Sequence, residues 1–404
     1  MMSAPTSISL RAQHPDFLDL PWHLPLKEWE GHCERLEEVV RGLSRHPVVF
    51  VNYDGTLYAL KELPRATAQR EYELLRQIEE LRLPVVLAAG YAQTQTDQYD
   101  ASVLITRYLE RSLPYRSLFM RSSLEHYRSH LLDAVAGLLV QLHLAGVFWG
   151  DCSLSNVLFR RDVGALQAYL VDAETAEVRP GRLSPTLRHH DLEIMEENVS
   201  GELSDLALSG LLPSDIHVLD TGAYVRQRYQ VLWEEITREE MFMPGEYYRV
   251  QERIRALNAL GFSVGEVRLE STESGDRIRL RVVVTDRNFH RDQLYGLTGL
   301  ETEEMQARKM MNEIQEIKAT LEQRNNRSTP LSVAAYHWLE NIYQPTMAIL
   351  QPLIDKYNAP ADLYCQVLEH KWFLSEKAHH DVGHSVAARN YLDKHGDLKT
   401  YQSG

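Results

Sequence analysis

The chain has 404 residues, of which 44% are hydrophobic and 25% are charged, so it exceeds what one hydrophobic core usually serves and we expect two domains. Its formal net charge of -14 disfavours a surface built to neutralise phosphate backbones, and we expect no nucleic-acid partner. Three widely separated cysteines argue against a disulfide framework, and neither a secretory signal nor a transmembrane segment of about 20 apolar residues is evident, which predicts a cytoplasmic protein.

The first predicted elements are strands, which follow an N-terminal extension over residues 1–35. Between Leu36 and Leu63 the runs LEEVV, VVFVNY and TLYALKEL predict a three-strand antiparallel start. The pair Asp54-Gly55 separates the last two runs and is a strong hairpin signal.

The next segment, ATAQREYELLRQIEELRL, is predicted to be a helix. Its apolar residues recur at helical spacing, at Leu74, Leu75, Ile78 and Leu81. Glu71 belongs to the same stripe, whereas Glu73 points to the opposite side. Because a buried carboxylate requires a cationic partner, Lys61 at the end of the YALKEL strand becomes the candidate partner. Taken alone, Lys61 is more typical of a solvated strand end.

Two further strands, PVVLAAGYA and SVLITRYL, precede a long buried helix that we expect to stop at Gly146. A later strand ends at Asp172. We place a domain boundary near residues 211–215, which separates a domain over 36–212 from one over 213–404. The second domain is predicted to contain a helix in EYYRVQERIRALNALGF, a hairpin of VGEVRLEST and RIRLRVVVTD, and helical stretches over 301–324, 331–357 and 360–394.

The N-terminal half of the chain carries the residue types that phosphoryl transfer requires. That reaction needs a cation on the nucleotide phosphates, oxygen ligands for magnesium, and a carboxylate that orients the attacking hydroxyl. Asp151 and Asn156 have the D-x-x-x-x-N spacing in which the aspartate is the base and the asparagine binds metal. Asp172 follows sixteen residues after Asn156 as a candidate magnesium ligand. Glu174 either joins that site or lies on a surface turn.

Five phrases together carry a family resemblance: RGLSRHPVVFV, YALKELP, REYELLR, LHLAGVFWGDCSLSNVLFRRD and AYLVDAETAEV. Residues 36–210 resemble the lipopolysaccharide-kinase-like branch of the protein-kinase superfamily, which also includes RIO kinases and antibiotic phosphotransferases. The phrases are similar to those of a bacterial family that fuses such a half to a C-terminal domain of unknown function.

This resemblance implies an α+β fold with a bilobal kinase-like domain followed by a mainly helical α+β domain. The N-lobe would hold an antiparallel sheet and one helix, and the C-lobe would be helical. The implied cofactors are ATP and Mg²⁺, and the implied catalytic residues are Asp151, Lys61 and Glu71. Asp191 is similar to the helix aspartate that braces the catalytic loop in many kinases. The resemblance implies no particular acceptor.

Two triplets depart from the general kinase pattern. The sequence Trp-Gly-Asp at 149–151 replaces His-Arg-Asp, so an aromatic contact must take the place of the usual histidine contact. The sequence Asp-Ala-Glu at 172–174 replaces Asp-Phe-Gly.

The phosphate-covering loop departs further, because RGLSRHP offers only Gly42 and Ser44 where a glycine-rich loop is usual. Fewer glycines leave fewer backbone N–H groups able to approach the phosphates. We expect Gly42, Ser44 and Arg45 to bind nucleotide together with Lys61, and the side chains of Arg41 and Arg45 to compensate for the missing glycines.

The C-terminal segment EHKWFLSEKAHHDVGH contains a dense histidine cluster of His379, His380 and His384. If the segment is one helix, Glu376, His380 and His384 fall on one face at a spacing compatible with metal ligation. No complete zinc signature is present, so an ordinary helix end is the favoured interpretation. The C-terminal domain as a whole is compatible with substrate recognition, with a protein partner or with a homo-oligomer.

Two hypotheses of function follow. An active kinase would transfer the γ-phosphate of ATP to a hydroxyl of a glycan, a small molecule or a protein. A pseudokinase would bind nucleotide only to stabilise an interaction scaffold, which the glycine-poor loop and the large C-terminal domain favour. ADP release that Asp151→Asn abolishes would distinguish the first hypothesis from the second.

Overall fold

The computed structural model describes residues 5–39, 45–65, 67–95, 100–120, 128–162, 165–212, 218–238, 240–242, 266–271, 278–283, 289–325, 329–357, 360–378 and 380–395. The chain divides into a larger compact unit, residues 1–161 with 165–286, and a smaller one, residues 162–164 with 287–404. Among the described residues, no helix combines the length and apolarity that crossing a membrane requires.

The larger unit begins with an antiparallel sheet. Its strands are β1 (Ser7–Leu10), β2 (Val48–Tyr53), β3 (Thr56–Leu63), β4 (Ala88–Gln95) and β5 (Asp100–Arg107). They lie in the order β1-β4-β5-β3-β2. Asp54 and Gly55 have φ angles of 52° and 85°, so the predicted hairpin is confirmed with the backbone that two-residue turns favour.

The predicted first strand, LEEVV, is wrong over its described part. Only Leu36 pairs, as an isolated antiparallel bridge to Val51, and residues 37–39 form no strand. The charged pair that follows Leu36 supplies no apolar residue to a sheet face, whereas β5 brings a run of six buried residues to the other side of β3. The antiparallel start therefore has β5, rather than LEEVV, as its third strand.

Helix α1 (Thr67–Glu80) packs on one face of this sheet. Its buried side chains are Ala68, Glu71, Tyr72, Leu75 and Ile78, which confirms the inward placement of Glu71. The outer face of the sheet is covered by the N-terminal extension, through Phe17, Leu20, Trp22, Leu26 and Trp29. Because neighbouring residues of a strand point to opposite faces, Leu60 faces the extension and Lys61 faces α1.

The second part of the larger unit is mainly helical. Its helices are α2 (Tyr115–Met120), α3 (Arg128–Leu144), α4 (Pro185–Leu208) and α5 (Val218–Thr237). Short strands lie among them: β6 (Ser112–Pro114), β7 (Val147–Phe148), β8 (Val157–Asp162), β9 (Ala165–Leu170) and β10 (Glu177–Val178). Helix α3 ends just before Gly146, whose φ is 81° and where a Cβ would lie 2.1 Å from the Arg179 carbonyl oxygen. Only glycine fits that turn.

Helix α5 packs against α3 and α4, and Val225, Tyr229, Leu232 and Ile236 are buried in the same core. The larger unit thus continues past the boundary at 211–215 that the sequence indicated, and the division at residue 212 stays a prediction. Farther along, β11 (Glu240–Phe242), β12 (Glu266–Ser271) and β13 (Ile278–Val283) form an antiparallel sheet. The β12–β13 pairing confirms the predicted hairpin, whereas the helix predicted in EYYRVQERIRALNALGF lies outside the described residues.

The smaller unit is helical. Its helices are α6 (Phe289–Thr298), α7 (Glu304–Asn325), α8 (Leu331–Trp338), α9 (Gln344–Ile349), α10 (Gln351–Tyr357), α11 (Pro360–Ala378) and α12 (His384–His395), and a π-helical turn (Leu339–Tyr343) joins α8 to α9. The helical stretch predicted over 331–357 is confirmed with one interruption, at Leu350, because Pro352 has no N–H to continue the ladder. The stretch predicted over 360–394 is also helical, in two helices that are separated between Ala378 and His384, where Gly383 has a φ of 77°.

Candidate active site

Three of the predicted site residues meet on the α1 face of the sheet. The Lys61 ammonium donates to both carboxylate oxygens of Glu71 at 3.2 Å and to Oδ2 of Asp172 at 2.6 Å. Asp172 lies more than a hundred residues along the chain, directly after β9. The side chains are 14% exposed for Lys61, 0% for Glu71 and 26% for Asp172, so the open side of the cluster is the one that Asp172 occupies.

The single ammonium of Lys61 pairs with two carboxylates, and the pKa values of Lys61 and Glu71 reflect this imbalance of charge. Burial opposes the charge on Lys61, but Glu71 and Asp172 outweigh it and raise the pKa of the ammonium. Burial, followed by repulsion from Asp172, raises the pKa of Glu71 to about 7, against the pull of Lys61 and of the Ala173 N–H. The cluster therefore has an excess of negative charge that a further cation near Asp172 would relieve.

Asp151 and Asn156 form the second part of the site. The Asn156 amide nitrogen donates to the Asp151 backbone oxygen and to its Oδ2, both at 3.1 Å. Both partners are acceptors, so only the NH₂ end of the amide can face Asp151 and the carbonyl oxygen of Asn156 is directed away from it. Within the described part of the chain, the hydrogen bonds of the Asn156 side chain are made by its nitrogen, which leaves this oxygen to face another ligand.

Hydrogen bonds hold the two parts of the site side by side. The Val171 N–H donates to the backbone carbonyl of Asn156 at 3.0 Å, and the Trp149 indole N–H donates to the backbone carbonyl of Asp172 at 3.3 Å. The Thr175 hydroxyl closes the arrangement by donating to the Trp149 carbonyl at 2.9 Å. Trp149 is fully buried and thus supplies an aromatic contact in the position of the usual histidine.

Helix α4 braces the backbone of residues 149–156, the candidate catalytic loop that contains Asp151 and Asn156. Asp191 accepts from the Trp149 N–H at 2.7 Å and from the Gly150 N–H at 2.8 Å, in agreement with the supporting role expected for it. Glu202 accepts from the Leu154 N–H at 2.7 Å and from the following N–H at 2.9 Å. Sequence reasoning missed Glu202.

Sequence reasoning also missed Asn198, which contacts the side chain of Asp151. Its amide nitrogen donates to Asp151 Oδ1 at 3.0 Å and to the Cys152 carbonyl at 3.2 Å. Asp191, Asn198 and Glu202 lie at i, i+7 and i+11 of one helix, a spacing that puts them on one face. This spacing was the available signal, since it marks a polar stripe beside the apolar stripe of α4.

A buried histidine links Asp191 to helix α5. His143 Nε2 lies 3.1 Å from Asp191 Oδ2, and His143 Nδ1 lies 2.8 Å from the Tyr229 hydroxyl. Burial, which outweighs Asp191, lowers the pKa of His143, so the ring is neutral at neutral pH. Since a carboxylate only accepts, Nε2–H donates to Asp191 and Nδ1 accepts from Tyr229.

The remaining predicted nucleotide ligands lie either outside the described residues or outside this hydrogen-bonded cluster. Gly42 and Ser44 lie outside the described residues, as does Arg41. Arg45 is exposed, and within the described part of the chain no hydrogen bond joins it to the cluster. The backbone N–H of Glu174 donates to Asp172 Oδ1 at 3.1 Å, whereas its half-exposed carboxylate lies 3.9 Å from His46. A metal-binding role for Glu174 stays a prediction.

Asp172 and Asn156 fit a magnesium ion by their chemistry. Mg²⁺ prefers oxygen ligands and usually takes only one or two carboxylates, the rest of its shell coming from water and substrate phosphates. A carboxylate in a negatively charged cluster and an outward-facing amide oxygen meet that requirement. Among the described residues, no group of three or more His, Cys, Asp or Glu side chains is arranged around a common metal position.

The C-terminal histidines do not share one helical face. Helix α11 ends at Ala378 and α12 begins at His384, so the condition for placing Glu376, His380 and His384 on one helical face is not met. His380 Nδ1 lies 2.9 Å from the Ala378 carbonyl, and His384 Nε2 lies 2.6 Å from Glu313 Oε1. His379 lies outside the described residues.

A sheet-rich lobe with an inward Lys–Glu pair, next to a helical lobe that holds the D-x-x-x-x-N loop, is the architecture of a kinase-like fold. Residues 55–222 match the family model described as Lipopolysaccharide kinase (Kdo/WaaP) family, and residues 231–395 match Domain of unknown function (DUF4032). The chain therefore contains a kinase-like domain of the Kdo/WaaP family followed by a DUF4032 domain, and the resemblance recognised from sequence is confirmed.

Two solved structures are similar to the chain at low identity. One is described as WaaP in complex with acyl carrier protein, with 17% identity, coverage of 63% of this chain and 99% of that chain, and a TM-score of 0.36. The other is an aminoglycoside-3'-phosphotransferase of type VIII, with 17% identity, coverage of 52% and 91%, and a TM-score of 0.36. No curated protein matches the chain.

Proposed function

We propose that the larger unit binds ATP with Mg²⁺ and transfers the γ-phosphoryl group to a hydroxyl of an acceptor. The observation that carries this proposal is the position of Lys61, held between Glu71 and Asp172 beside the Asp151–Asn156 pair. Membership of the Kdo/WaaP family supports a kinase-like phosphotransferase. ATP, Mg²⁺ and the roles of single residues are the proposed detail.

Lys61 would hold the phosphates of the nucleotide. Its ammonium is fixed by Glu71, and its second bond, to Asp172, lies on the more exposed side of the cluster. With Asp172 serving as a ligand of Mg²⁺, Lys61 would keep its bond to Glu71 and direct its other N–H groups to the phosphate oxygens. Lys61 would thus place a positive charge where the transferred group gains negative charge.

Asp172 and Asn156 would hold Mg²⁺, which when bound neutralises charge on the phosphates and orients them for in-line attack. The Asn156 amide nitrogen stays on Asp151, so its carbonyl oxygen can serve the ion without disturbing the catalytic loop. The hydrogen bond from Val171 to Asn156 keeps the two ligands next to each other.

Asp151 would orient the acceptor hydroxyl and take its proton. In that step the acceptor oxygen forms a bond to the γ-phosphorus, the bond from that phosphorus to the bridging oxygen of ADP breaks, and the hydroxyl proton passes to the Asp151 carboxylate. Each carboxylate oxygen of Asp151 accepts one amide N–H and keeps a lone pair for the hydroxyl. For the acceptor we propose a glycan hydroxyl, in keeping with the family description, and small-molecule and protein hydroxyls remain the alternatives to be assayed.

A pseudokinase scaffold is the second candidate function. The observation that favours it is the sequence RGLSRHP, which has a single glycine where phosphate-covering loops usually have several. In that case the Lys61 cluster would bind nucleotide without transferring phosphate, and the DUF4032 domain would carry the activity of the protein.

The two functions differ in turnover, so the test measures ADP release from ATP and Mg²⁺ together with thermal unfolding. Ligand binding raises the melting temperature in both cases. We expect ADP release by the unaltered chain and a loss of at least about 100-fold in Asp151→Asn. Asp393→Asn, which makes the same change at an exposed position of α12, should leave release unchanged. A thermal shift without ADP release would instead support the scaffold.

A further inference from the structure

All three residues of the polar stripe of helix α4, Asp191, Asn198 and Glu202, contact the catalytic loop. All of them contact its backbone, and one also contacts a side chain. Asp191 and Glu202 each accept two backbone N–H groups of the loop, and Asp191 also accepts from the buried His143. Asn198, between them, is the stripe residue that reaches the side chain of Asp151. The backbone of the loop is therefore anchored on both sides of Asn198 by two other residues, and Asn198 adds one backbone contact of its own, to the Cys152 carbonyl.

The orientation of the Asn198 amide follows from its partners. Asp151 Oδ1 and the Cys152 carbonyl are both acceptors, so the NH₂ group must face them and both of its hydrogens are used. Asn156 holds the other carboxylate oxygen of Asp151 in the same manner. Two amides, one from the loop and one from α4, thus fix the plane of the carboxylate.

We infer that Asn198 is a positioning residue for the phosphotransfer reaction, which sets the rotation of the Asp151 carboxylate toward the acceptor hydroxyl. The inference rests on the proposed function, because it concerns the base of that reaction. Asn156 alone leaves the carboxylate free to swing about one anchored oxygen. A base displaced by about 1 Å can cost on the order of 100-fold in rate, so a second anchor has a kinetic consequence.

The experiment compares Asn198→Leu, of similar size but without donors, with Asn198→Gln, which keeps the amide. The assay is phosphate release from ATP and Mg²⁺ with water as the acceptor, analysed as separate kcat and KM values. A hydrogen bond to a charged group is worth roughly 1.5–3 kcal/mol, which predicts a fall in kcat of about 10- to 100-fold in Asn198→Leu. KM for ATP and the thermal shift produced by ATP with Mg²⁺ should stay within about twofold of the unaltered chain, because Lys61 and Asp172 are untouched.

Asn198→Gln should recover part of the lost kcat, since it retains an N–H donor. The matched control is Asn341→Leu, which removes an exposed amide bonded to the His337 carbonyl at 3.0 Å and should change neither constant. If Asn198→Leu does not fold, Asn198→Ala removes the same donors without placing a charge next to Asp151, and it too should lower kcat.

Three results would overturn the inference. An unchanged kcat in a folded donor-free variant shows that Asp151 does not need the second anchor. Equal losses in Asn198→Leu and Asn198→Gln, or a parallel loss of nucleotide binding, show a structural role only. Absence of phosphate release by the unaltered chain overturns the proposed function together with this inference, whereas release that survives Asn198→Leu overturns this inference alone.

Discussion

Each of the two units contains a glutamate in a polar cluster, Glu71 with a fully buried side chain and Glu313 with one that is 18% exposed, and the two clusters are built in opposite ways. Glu71 in the larger unit shares its cation, Lys61, with a second carboxylate. Glu313 in the smaller unit instead receives three donors: the Trp338 indole at 3.0 Å, the Tyr364 hydroxyl at 2.7 Å and His384 at 2.6 Å. The first cluster lacks positive charge, and the second is fully satisfied.

The pKa values move accordingly. Burial alone would raise the pKa of Glu313, but the hydrogen bonds from His384 and from the two aromatic donors outweigh it and lower the pKa below its ordinary range. Burial raises the pKa of Glu71 to about 7, and the nearby Asp172 adds to the increase. A satisfied cluster stabilises a core, whereas an unsatisfied one is suited to a ligand that brings the missing charge.

The largest expected effect is the loss of the shared cation. Lys61→Met should reduce ATP turnover by at least about 100-fold and abolish the thermal shift produced by ATP with Mg²⁺, because the cluster is left with two carboxylates and no ammonium. Lys309→Met is the matched control, since it removes a partly exposed lysine that pairs with Glu369 at 2.8 Å. Unchanged nucleotide affinity in Lys61→Met would show that the pocket lies elsewhere.

The next effect is on stability, in the smaller unit. Glu313→Leu leaves the Trp338, Tyr364 and His384 donors without their acceptor, and each buried donor left unpaired costs roughly 1–3 kcal/mol. We expect a loss of about 3 kcal/mol in the free energy of unfolding, measured by urea denaturation at pH 7, and a smaller loss for Glu313→Gln. Glu369→Gln, on the exposed side of the neighbouring helix, should cost less than about 1 kcal/mol. Equal costs at the two positions would remove the contrast between the clusters.

The smallest expected effect is the dependence of stability on pH, for which the two glutamates should differ in sign. The lowered pKa of Glu313 means that its contribution is present above the unfolded-state pKa near 4.5 and is lost as the pH falls through the folded value. The raised pKa of Glu71 acts in the opposite direction, because between pH 4.5 and about 7 the folded protein holds a proton that the unfolded chain has released.

Unfolding of the nucleotide-free protein at a series of pH values measures both effects. Between pH 5 and 8 the unaltered chain should lose stability relative to Glu71→Gln, by on the order of 1 kcal/mol. Below pH 4.5 the advantage of the unaltered chain over Glu313→Gln should shrink. Slopes of the same sign for the two variants would contradict the assignment of opposite environments.

Much of the site could be predicted from sequence because its chemistry is local in the chain. The spacing from Asp151 to Asn156 lies within one loop, and the placement of Lys61 and Glu71 follows from the two-residue and 3.6-residue periods of a strand and a helix. The approach of Asp172 to Lys61 could be expected only from the kinase resemblance, since no local pattern fixes the distance between residues that far apart.

The parts that sequence missed depend on how elements pack. Asn198 and Asp151 are forty-seven positions apart in the sequence. Their contact depends on the angle at which α4 crosses the loop, and the sequence alone does not define that angle. The aromatic residues of the N-terminal extension, such as Phe17 and Trp22, have no regular period, so their burial against the sheet gave no sequence signal. The break before His384 depends on a left-handed glycine, which a hydrophobic pattern does not register.

Helix α5 has a practical consequence for dissecting this protein. The Kdo/WaaP match ends at residue 222 and the DUF4032 match begins at residue 231, yet both positions lie within the single helix Val218–Thr237. A fragment cut at residue 222 would lack Tyr229, deprive His143 of its hydroxyl partner and expose the core beneath α5. An expression fragment of the kinase-like half should therefore retain the helix through residue 237. If the shorter fragment, cut at residue 222, fails to fold, that failure says nothing about the catalytic residues.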